Sequence, residues 1–486
     1  MLLGDLAAAD LTLSDGAAAI DIKGITADSR TVGPGFLFAA LPGTATDGAR
    51  FVGEAVGRGA VAVLAAADAR LEGVGGVAVL AAGDPRRALA LIAARFYRRQ
   101  PEHLVAVTGT SGKTSVADFA RQIFTAAGKS AASIGTLGVI AGRRRQAGAL
   151  TTPDTVSLHA ELDRLARQGV SHAALEASSH GLDQRRLDGL RIEAAGFTNL
   201  GRDHLDYHAT VADYLAAKLR LFTAILPPGK AAVIDMDGAR ASEVAEAATA
   251  RGHDLVRVGR AGKEIRLAGL APDGLSQRLR IAAFGRDYNL VLPLAGAFQA
   301  SNALVAAGLA IGAGIEAEAA LAALSRLKGP PGRLELAGRS KGGGMIFIDY
   351  AHKPDAIESA LAALRPMATG RLIVVVGAGG DRDPGKRPLM GKAAAANADV
   401  VVVTDDNPRS ENPAAIRKAV IAGAPGAIEI GDRGEAIANA VAMLGPGDVL
   451  CIAGKGHETG QIVAGRTVPF SDHDAVRRAL AAEEAA

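Results

Sequence analysis

Eight consecutive residues, Thr108-Gly109-Thr110-Ser111-Gly112-Lys113-Thr114-Ser115, lie between an apolar run starting at Val105 and a helix-forming stretch. A nucleoside triphosphate needs this arrangement. Backbone N–H groups leaving a strand face the phosphates, and the helix N-terminus adds partial positive charge. Lys113 reaches the β- and γ-phosphates, and the Thr114 hydroxyl can ligate Mg²⁺. The general phosphate-loop pattern places a glycine at position 107, where this chain has Val107, so the loop is a short form beginning at Gly109.

Other chemistry-bearing residues gather where further strands end. A strand predicted over 172–177 carries Glu176 into Ser178-Ser179-His180, a carboxylate that either holds Mg²⁺ or is a solvated loop acid. The next predicted strand, 194–199, runs into Asn199-Leu200-Gly201-Arg202-Asp203-His204-Leu205-Asp206-Tyr207-His208, whose imidazoles and carboxylates suit cation ligation or phosphate orientation. Lys218, in Tyr214-Leu215-Ala216-Ala217-Lys218, reads from composition as a helix-surface lysine. Three later loops, 379–383, 405–409 and 454–458, bring Arg382, Asp406, Asn407, Pro408, Arg409, Gly454 and Glu458. Two guanidinium groups beside two acids suit a zwitterion carrying carboxylate and ammonium; a structural salt-bridge network is the alternative.

These loops need parallel sheets to present them. From residue 104 the pattern alternates strand and helix: helix 155–169, strands 172–177 and 194–199, helix 209–225 and strand 231–235, which predicts a parallel sheet with crossover helices. Residues 262–294 lose helical periodicity and predict an antiparallel appendage. Beyond the Gly329-Pro330-Pro331-Gly332 cluster, strands at 345–350, 372–376, 400–404 and 449–452 alternate with helices at 354–366, 412–422 and 432–443, a second doubly wound unit. The first 98 residues predict a small α/β unit. The expected domains are therefore 1–98, 99–329 and 330–486, within the two to four that a chain of 486 residues allows.

Composition removes other classes. A net charge of +3 without a basic run argues against nucleic acid as a partner. The single cysteine, Cys451, excludes a disulfide framework and reads as a small buried hydrophobe. The N-terminus lacks the basic and apolar regions of a signal peptide, and no stretch approaches the roughly 18–20 apolar residues of a membrane span. A soluble cytoplasmic protein is expected.

Taken together, TGTSGKT (108–114), TTP (151–153), EASSHGLDQRR (176–186), NLGRDHLDYH (199–208), PGRLE (331–335), DYAHKPD (349–355), GGDRDPGKRPLM (379–390), DNPR (406–409) and GKGHE (454–458) resemble the Mur ligases of peptidoglycan synthesis. The resemblance spans nearly the whole chain and implies a three-domain fold: a uridine-nucleotide domain, a central ATP domain and a Rossmann-like C-terminal domain. It implies that ATP converts the γ-carboxylate of a D-glutamyl residue in UDP-N-acetylmuramoyl-L-Ala-D-Glu to an acyl phosphate. The amine of meso-diaminopimelate then displaces phosphate.

By the same resemblance, ATP is held by residues 108–115 with Asn302 and Arg333, and Mg²⁺ by Thr114, Glu176, His204 and Lys218, the last as N6-carboxylysine. Lys113, Glu176, His204 and Lys218 carry the catalysis. Ala27, Ser29, Thr44, Ala45, Thr46, Thr151, Thr152, Ser178, Gln184 and Arg186 hold the nucleotide-sugar dipeptide. DNPR implies diaminopimelate rather than lysine, because Arg409 can pair with the extra carboxylate. The alternatives are a lysine-adding relative, a ligase like folylpolyglutamate synthase, and a phosphate-loop protein that forms no amide.

Overall fold

The computed structural model describes residues 1–7, 11–13, 16–43, 47–204 and 206–485. Its strands form three large sheets, each with helices packed on it. In the first sheet Gly24–Thr26, Phe36–Ala40, Ala60–Ala66 and Ala78–Ala82 run parallel, and Thr12–Leu13 lies antiparallel on the edge. Helix Pro85–Phe96 follows; the Asp84 side chain accepts the Arg87 N–H, and Pro85 occupies a position whose N–H would have no helical partner.

The second sheet has eleven strands. Its centre is His103–Thr108, flanked in parallel by Ile192–Phe197 and His172–Glu176. Every residue of His172–Glu176 is buried, as expected for a strand covered on both faces. The appendage foreseen at 262–294 consists of three antiparallel strands, Ile265–Asp273, Ser276–Ala283 and Arg286–Leu292. It is continuous with the main sheet through Val258 and Gly259, which pair in parallel with Ile265 and Arg266. A second antiparallel extension, Gly138–Ala141 and Arg144–Gln146, closes the other edge.

The alanine-rich helix Ala297–Gly312 shows what the small residues accomplish. Ala300, Ala303, Ala306, Ala307 and Ala310 are buried, and a Cβ on Gly308 would come within 2.6 Å of Val233 Cγ1. Small side chains let this helix lie close against the sheet and press on helix Lys113–Ala126, whose Val116, Phe119, Ala120 and Ile123 are fully buried.

In the third sheet Met345–Asp349, Val449–Ala453, Leu372–Val376 and Val400–Val403 are parallel neighbours, bounded by antiparallel Glu335–Arg339 and the short parallel Ile428–Glu429. Helix Lys386–Asn397 was not foreseen, because Pro388 reads as a breaker. It lies in the first turn, where no helical N–H bond is lost. Cys451 is buried in a central strand.

A fully buried ion pair locks this unit: Arg433 Nε and Nη2 donate to the two Asp472 oxygens, both at 2.8 Å, with neither side chain exposed. Asp472→Ala leaves a buried guanidinium unpaired. It is expected to destabilise the unit by ~3–5 kcal/mol, lowering its thermal transition in calorimetry. Among the described residues no helix is long and apolar enough to cross a membrane.

Candidate active site

Three adjacent strand ends of the second sheet deliver the nucleotide loop, Glu176 and the segment from Thr198 onward to one place, the carboxyl edge where open α/β sheets bind ligands. The loop tolerates only glycine at two points. Gly109, at φ 147°, would put a Cβ 1.9 Å from Thr198 Oγ1; Gly112, at φ 91°, would put one 2.3 Å from Asn302 Oδ1. Thr198 Oγ1 donates to Ser111 O at 2.6 Å, and Ser111 N donates to Asn199 Oδ1 at 3.0 Å. Gly112 begins helix Lys113–Ala126 without a side-chain cap, which leaves first-turn N–H groups for an anion.

Around this loop the charges are mostly positive. Lys113 Nζ folds back to donate to Gly109 O (2.8 Å) and Thr110 O (3.2 Å). Arg333 Nη2 donates to Thr114 Oγ1 at 3.0 Å, with its guanidinium 4.3 Å over the Tyr350 ring. The Thr114 hydroxyl in turn donates to Glu176 Oε2 at 3.0 Å, and Thr136 N donates to Glu176 Oε1 at 2.7 Å. Burial pushes the Glu176 carboxyl up, against the pull of Lys113.

Lys218 corrects the composition-based reading. It is 1% exposed, with Nζ donating to Gly109 O at 2.8 Å and lying 4.2 Å from the centre of the Tyr214 ring. The signal was present in the sequence: Tyr214, Ala217, Lys218, Leu221, Phe222 and Ile225 form one helical stripe, and all are buried. The helix expected over 209–225 is α-helical for Val211–Arg220 and continues as a π turn at Leu221–Ile225, beginning three residues after this lysine.

Next to Tyr214 stands His204, in the left-handed region at φ 53°, its Nε2 3.1 Å from Asp203 Oδ2. Burial holds its imidazole below the ordinary range, so it is neutral at physiological pH. Asp203 is bridged at 2.6 Å by Lys353, from the third sheet's unit. Burial alone would raise the Asp203 carboxyl, but Lys353 and His204 bring it well below the usual range.

On the third sheet, Asp406, Asn407, Arg409, Gly454 and Glu458 come together. Asn407 Nδ2 and Lys455 Nζ donate to Glu458 Oε2 at 3.0 and 2.9 Å. A Cβ on Gly454 would lie 2.6 Å from Asp406 Oδ2. The Arg409 backbone, at φ 52°, is clamped by its N–H to Ile462 O (3.0 Å) and by Ala464 N to its own carbonyl (2.8 Å). Its Nη1 donates to Gly380 O at 2.7 Å, and among the described residues no carboxylate pairs with its guanidinium. Arg382 lies apart, facing the second sheet 4.0 Å from Asp206, on the rim of a cleft of about 680 Å³ lined by His180, Tyr207 and His208. Gly332, at φ 66°, would place a Cβ 2.4 Å from Gly456 C, so the loop carrying Arg333 backs directly onto the loop carrying Glu458.

The remaining expected residues fall into two groups. Thr152 Oγ1 donates to Glu176 O (2.7 Å), and Arg186 donates to Thr152 O (2.5 Å) and Gln184 Oε1 (2.6 Å). Ser178 N donates to Thr152 Oγ1 (2.9 Å), and Thr136 and Thr151 hydroxyls meet at 3.0 Å. These lie together beside Glu176. In the first sheet's unit Ser29 Oγ donates to Glu54 Oε2 at 3.0 Å and Ala27 is exposed. Thr44, Ala45 and Thr46 lie outside the described residues.

The chain matches three families in order: the Mur ligase catalytic domain at 21–97, the Mur ligase middle domain at 107–310 and the Mur ligase glutamate ligase domain at 332–456. Over 100% of both chains it is 56% identical to the UDP-N-acetylmuramoyl-L-alanyl-D-glutamate–2,6-diaminopimelate ligase of Bradyrhizobium diazoefficiens. This chain belongs to the Mur ligase family.

The enzyme of the same name from Brucella melitensis is 55% identical over 96% of this ligase and 95% of its own length. Among solved structures, a UDP-N-acetylmuramoyl-L-alanyl-D-glutamate–2,6-diaminopimelate ligase superposes with a TM-score of 0.70 at 33% identity, covering 97% of each chain. The MurF ligase of Thermotoga maritima in complex with ADP shares the fold at 19% identity, with a TM-score of 0.65 over 96% of this chain and 98% of its own. As a Mur ligase the chain is an ATP-dependent amide-forming enzyme.

The ligase's donors fit Mg²⁺. Among the described residues no group of three or more His, Cys, Asp or Glu is arranged to hold a metal. A hard cation bound partly by phosphate oxygens needs only a few protein oxygens, which Thr114 and Glu176 offer. A cation beside Glu176 would offset the cost of burying its charge, the cost that raises this carboxyl here.

Two residues of the site escaped sequence reasoning as functional groups, Thr136 and Lys353. Nothing local singles out Thr136, whereas Lys353 stands where a helix would begin.

Lys113 also sets a pH dependence. Desolvation, with the Lys353 ammonium second, pushes its pKa down to about 8. The protonated form binds phosphate, so kcat/KM for ATP is expected to fall as pH rises through about 8, while Lys113→Arg, which stays charged, gives a flat profile. A pH series on both proteins tests this.

Proposed function

We propose that this ligase joins meso-diaminopimelate to the γ-carboxylate of D-Glu in UDP-N-acetylmuramoyl-L-Ala-D-Glu, with ATP supplying the driving force through an acyl phosphate. The observation that carries this reading is the set of side-chain contacts joining the units of the second and third sheets. Lys353 pairs with Asp203, Arg333 with Thr114, and Arg202 with Asp383, so the unit that carries the loops of Arg409 and Glu458 is seated against the one that carries the nucleotide loop. The high-identity relatives named for this reaction support it.

In this reading residues 1–98 bind the uridine nucleotide, 99–329 bind ATP, and 330–486 bind the amino acid. Thr151, Thr152, Ser178, Gln184 and Arg186 orient the dipeptide so that its carboxylate faces the γ-phosphate held by Lys113. Arg409 takes the distal carboxylate of diaminopimelate, and Asp406 and Glu458 accept its ammonium. Mg²⁺, when bound by Thr114, Glu176, His204 and carbamylated Lys218, neutralises phosphate charge. Protein groups supply position and fixed charge, which is most of what phosphoryl transfer requires. The enzyme acts as a monomer in the cytoplasm, where its ATP is.

The test is phosphate release in the presence of ATP, Mg²⁺ and UDP-N-acetylmuramoyl-L-Ala-D-Glu, with meso-diaminopimelate or L-lysine added. Release is expected to depend on diaminopimelate. Turnover indifferent to both amino acids overturns the ligase reading, and a preference for lysine overturns the role given to Arg409.

A further inference from the structure

Three lysines set by three different helices, Lys218 and Lys353 buried and Lys113 half-buried, end on two adjacent carbonyl oxygens of the nucleotide loop. Lys113 and Lys218 both donate to Gly109 O at 2.8 Å, and Lys113 and Lys353 both donate to Thr110 O, at 3.2 and 3.3 Å. Lys113 starts the loop's own helix and Lys218 belongs to Val211–Arg220. Lys353 precedes helix Pro354–Leu364, on the other side of the cleft.

The position of Lys353 is poor for stability and good for reach. It is the N-cap residue of its helix, where Ser, Thr, Asp or Asn would bond the first-turn N–H groups; it makes no such bond, and its charge sits at the positive end of the helix. Pro354 holds it extended, at φ −136° and ψ 152°, and the side chain crosses to the second sheet's unit, only 10% exposed. A residue that opposes its own helix and is nonetheless buried marks a position set by function rather than by folding.

A bridge between units would need only the 2.6 Å contact with Asp203. Lys353 does more, bringing its ammonium to the same carbonyl as the lysine that holds the β- and γ-phosphates. Two like charges within hydrogen-bond reach of one oxygen repel, and an anion of multiple charge placed between them reverses the sign of that interaction.

We propose that Lys353 is a catalytic residue that touches the γ-phosphoryl group of ATP and stays with it as it passes to the substrate carboxylate. This rests on the ligase reading above. In the step, a carboxylate oxygen bonds to the γ-phosphorus as the bond to the β–γ bridging oxygen breaks, the electron pair leaving on ADP; no proton moves. Lys353 neutralises charge on the phosphoryl oxygens from the side opposite Lys113, with Asp203 as its anchor. Because it belongs to the amino-acid-binding unit, phosphoryl transfer is complete in its charges only when that unit is seated on the nucleotide loop.

The experiment compares two nucleotides on the full chain by titration calorimetry with Mg²⁺: ADP, and the ATP analogue with an imido β–γ bridge. Lys353→Met keeps the length and apolar stem. It is expected to bind the analogue ~10–100-fold more weakly, the loss of one charge-assisted hydrogen bond, while ADP affinity changes less than ~2-fold. Lys353→Arg is expected to lie between it and the parent. Asp203→Asn, which removes the anchor but keeps the ammonium, is expected to retain most of the preference for the analogue. Equal effects on both nucleotides, no effect on either, or identical behaviour of Lys353→Met and Asp203→Asn would overturn the proposal in favour of a bridging role. The measurement uses no acceptor, so failure of the ligase reading shows in phosphate release and not here.

Discussion

Lys218→Ala is expected to lose turnover by on the order of 10²–10³-fold, the cost of removing one preorganised charge from the reaction centre. Added acetate or formate should restore part of it, and Lys218→Glu should retain more than the alanine variant. The reason lies in how this amine is housed. It is 1% exposed, it donates to one backbone carbonyl, and the nearest charges that affect it most, Lys113 and Lys353, repel its protonated form. Desolvation first, and those two lysines next, hold its pKa well below the ordinary value. A neutral amine is nucleophilic towards CO₂: the nitrogen bonds to carbon, a proton leaves, and a carbamate remains.

The same two lysines that oppose an ammonium would favour that anion, and the new oxygens are hard donors of the kind Mg²⁺ takes. Carbon NMR after incubation with labelled bicarbonate checks this directly, with a carbamate resonance present in the parent and absent from Lys218→Ala. No resonance, together with equal and unrescued loss in the Glu and Ala variants, would remove the carbamate from the mechanism.

Arg409→Ala is expected to lower kcat/KM for meso-diaminopimelate by ~30–5000-fold, corresponding to the ~2–5 kcal/mol typical of truncating one partner of a buried charge pair. Activity with L-lysine should change far less, because lysine lacks the second, distal carboxylate that Arg409 would pair with. The guanidinium is built to be spent on a ligand. Its backbone is fixed in the left-handed region by bonds to the hairpin Gly460–Val463 and Arg466–Pro469, and one nitrogen is held by Gly380 O. A Cβ on Gly379 would come within 2.8 Å of Nη1, so a side chain there would displace the guanidinium from this position. These bonds orient the guanidinium in advance, so in the proposed role it would meet a substrate carboxylate with little further ordering. Competition between the two amino acids in one assay, read by mass of the product, measures the ratio. A ratio unchanged in Arg409→Ala would assign selection to other groups.

What the sequence made legible was local. The phosphate loop announces itself because strand, glycines, lysine and helix are contiguous, and the β-branched apolar run at 372–376 reads as a covered strand. The antiparallel edge at 265–292 was legible from lost helical period, whereas Gly138–Ala141 and Arg144–Gln146 were not, being short and, in the second, wholly polar. Lys218 was misread because charge outweighed position: its place on a buried helical stripe predicts burial, while its residue type predicts the opposite. Lys353 was hidden differently. Its role depends on contact with Thr110, 243 residues earlier in the chain, and no local pattern carries such information.

The approach of Gly332 to Gly456 gives the two ends of the cleft a common wall. If Arg333 seats against the nucleotide and Glu458 against the amino acid, as proposed, a shift of one would move backbone that positions the other. Such coupling would be reciprocal: whatever factor ATP contributed to amino-acid affinity, the amino acid would return to ATP.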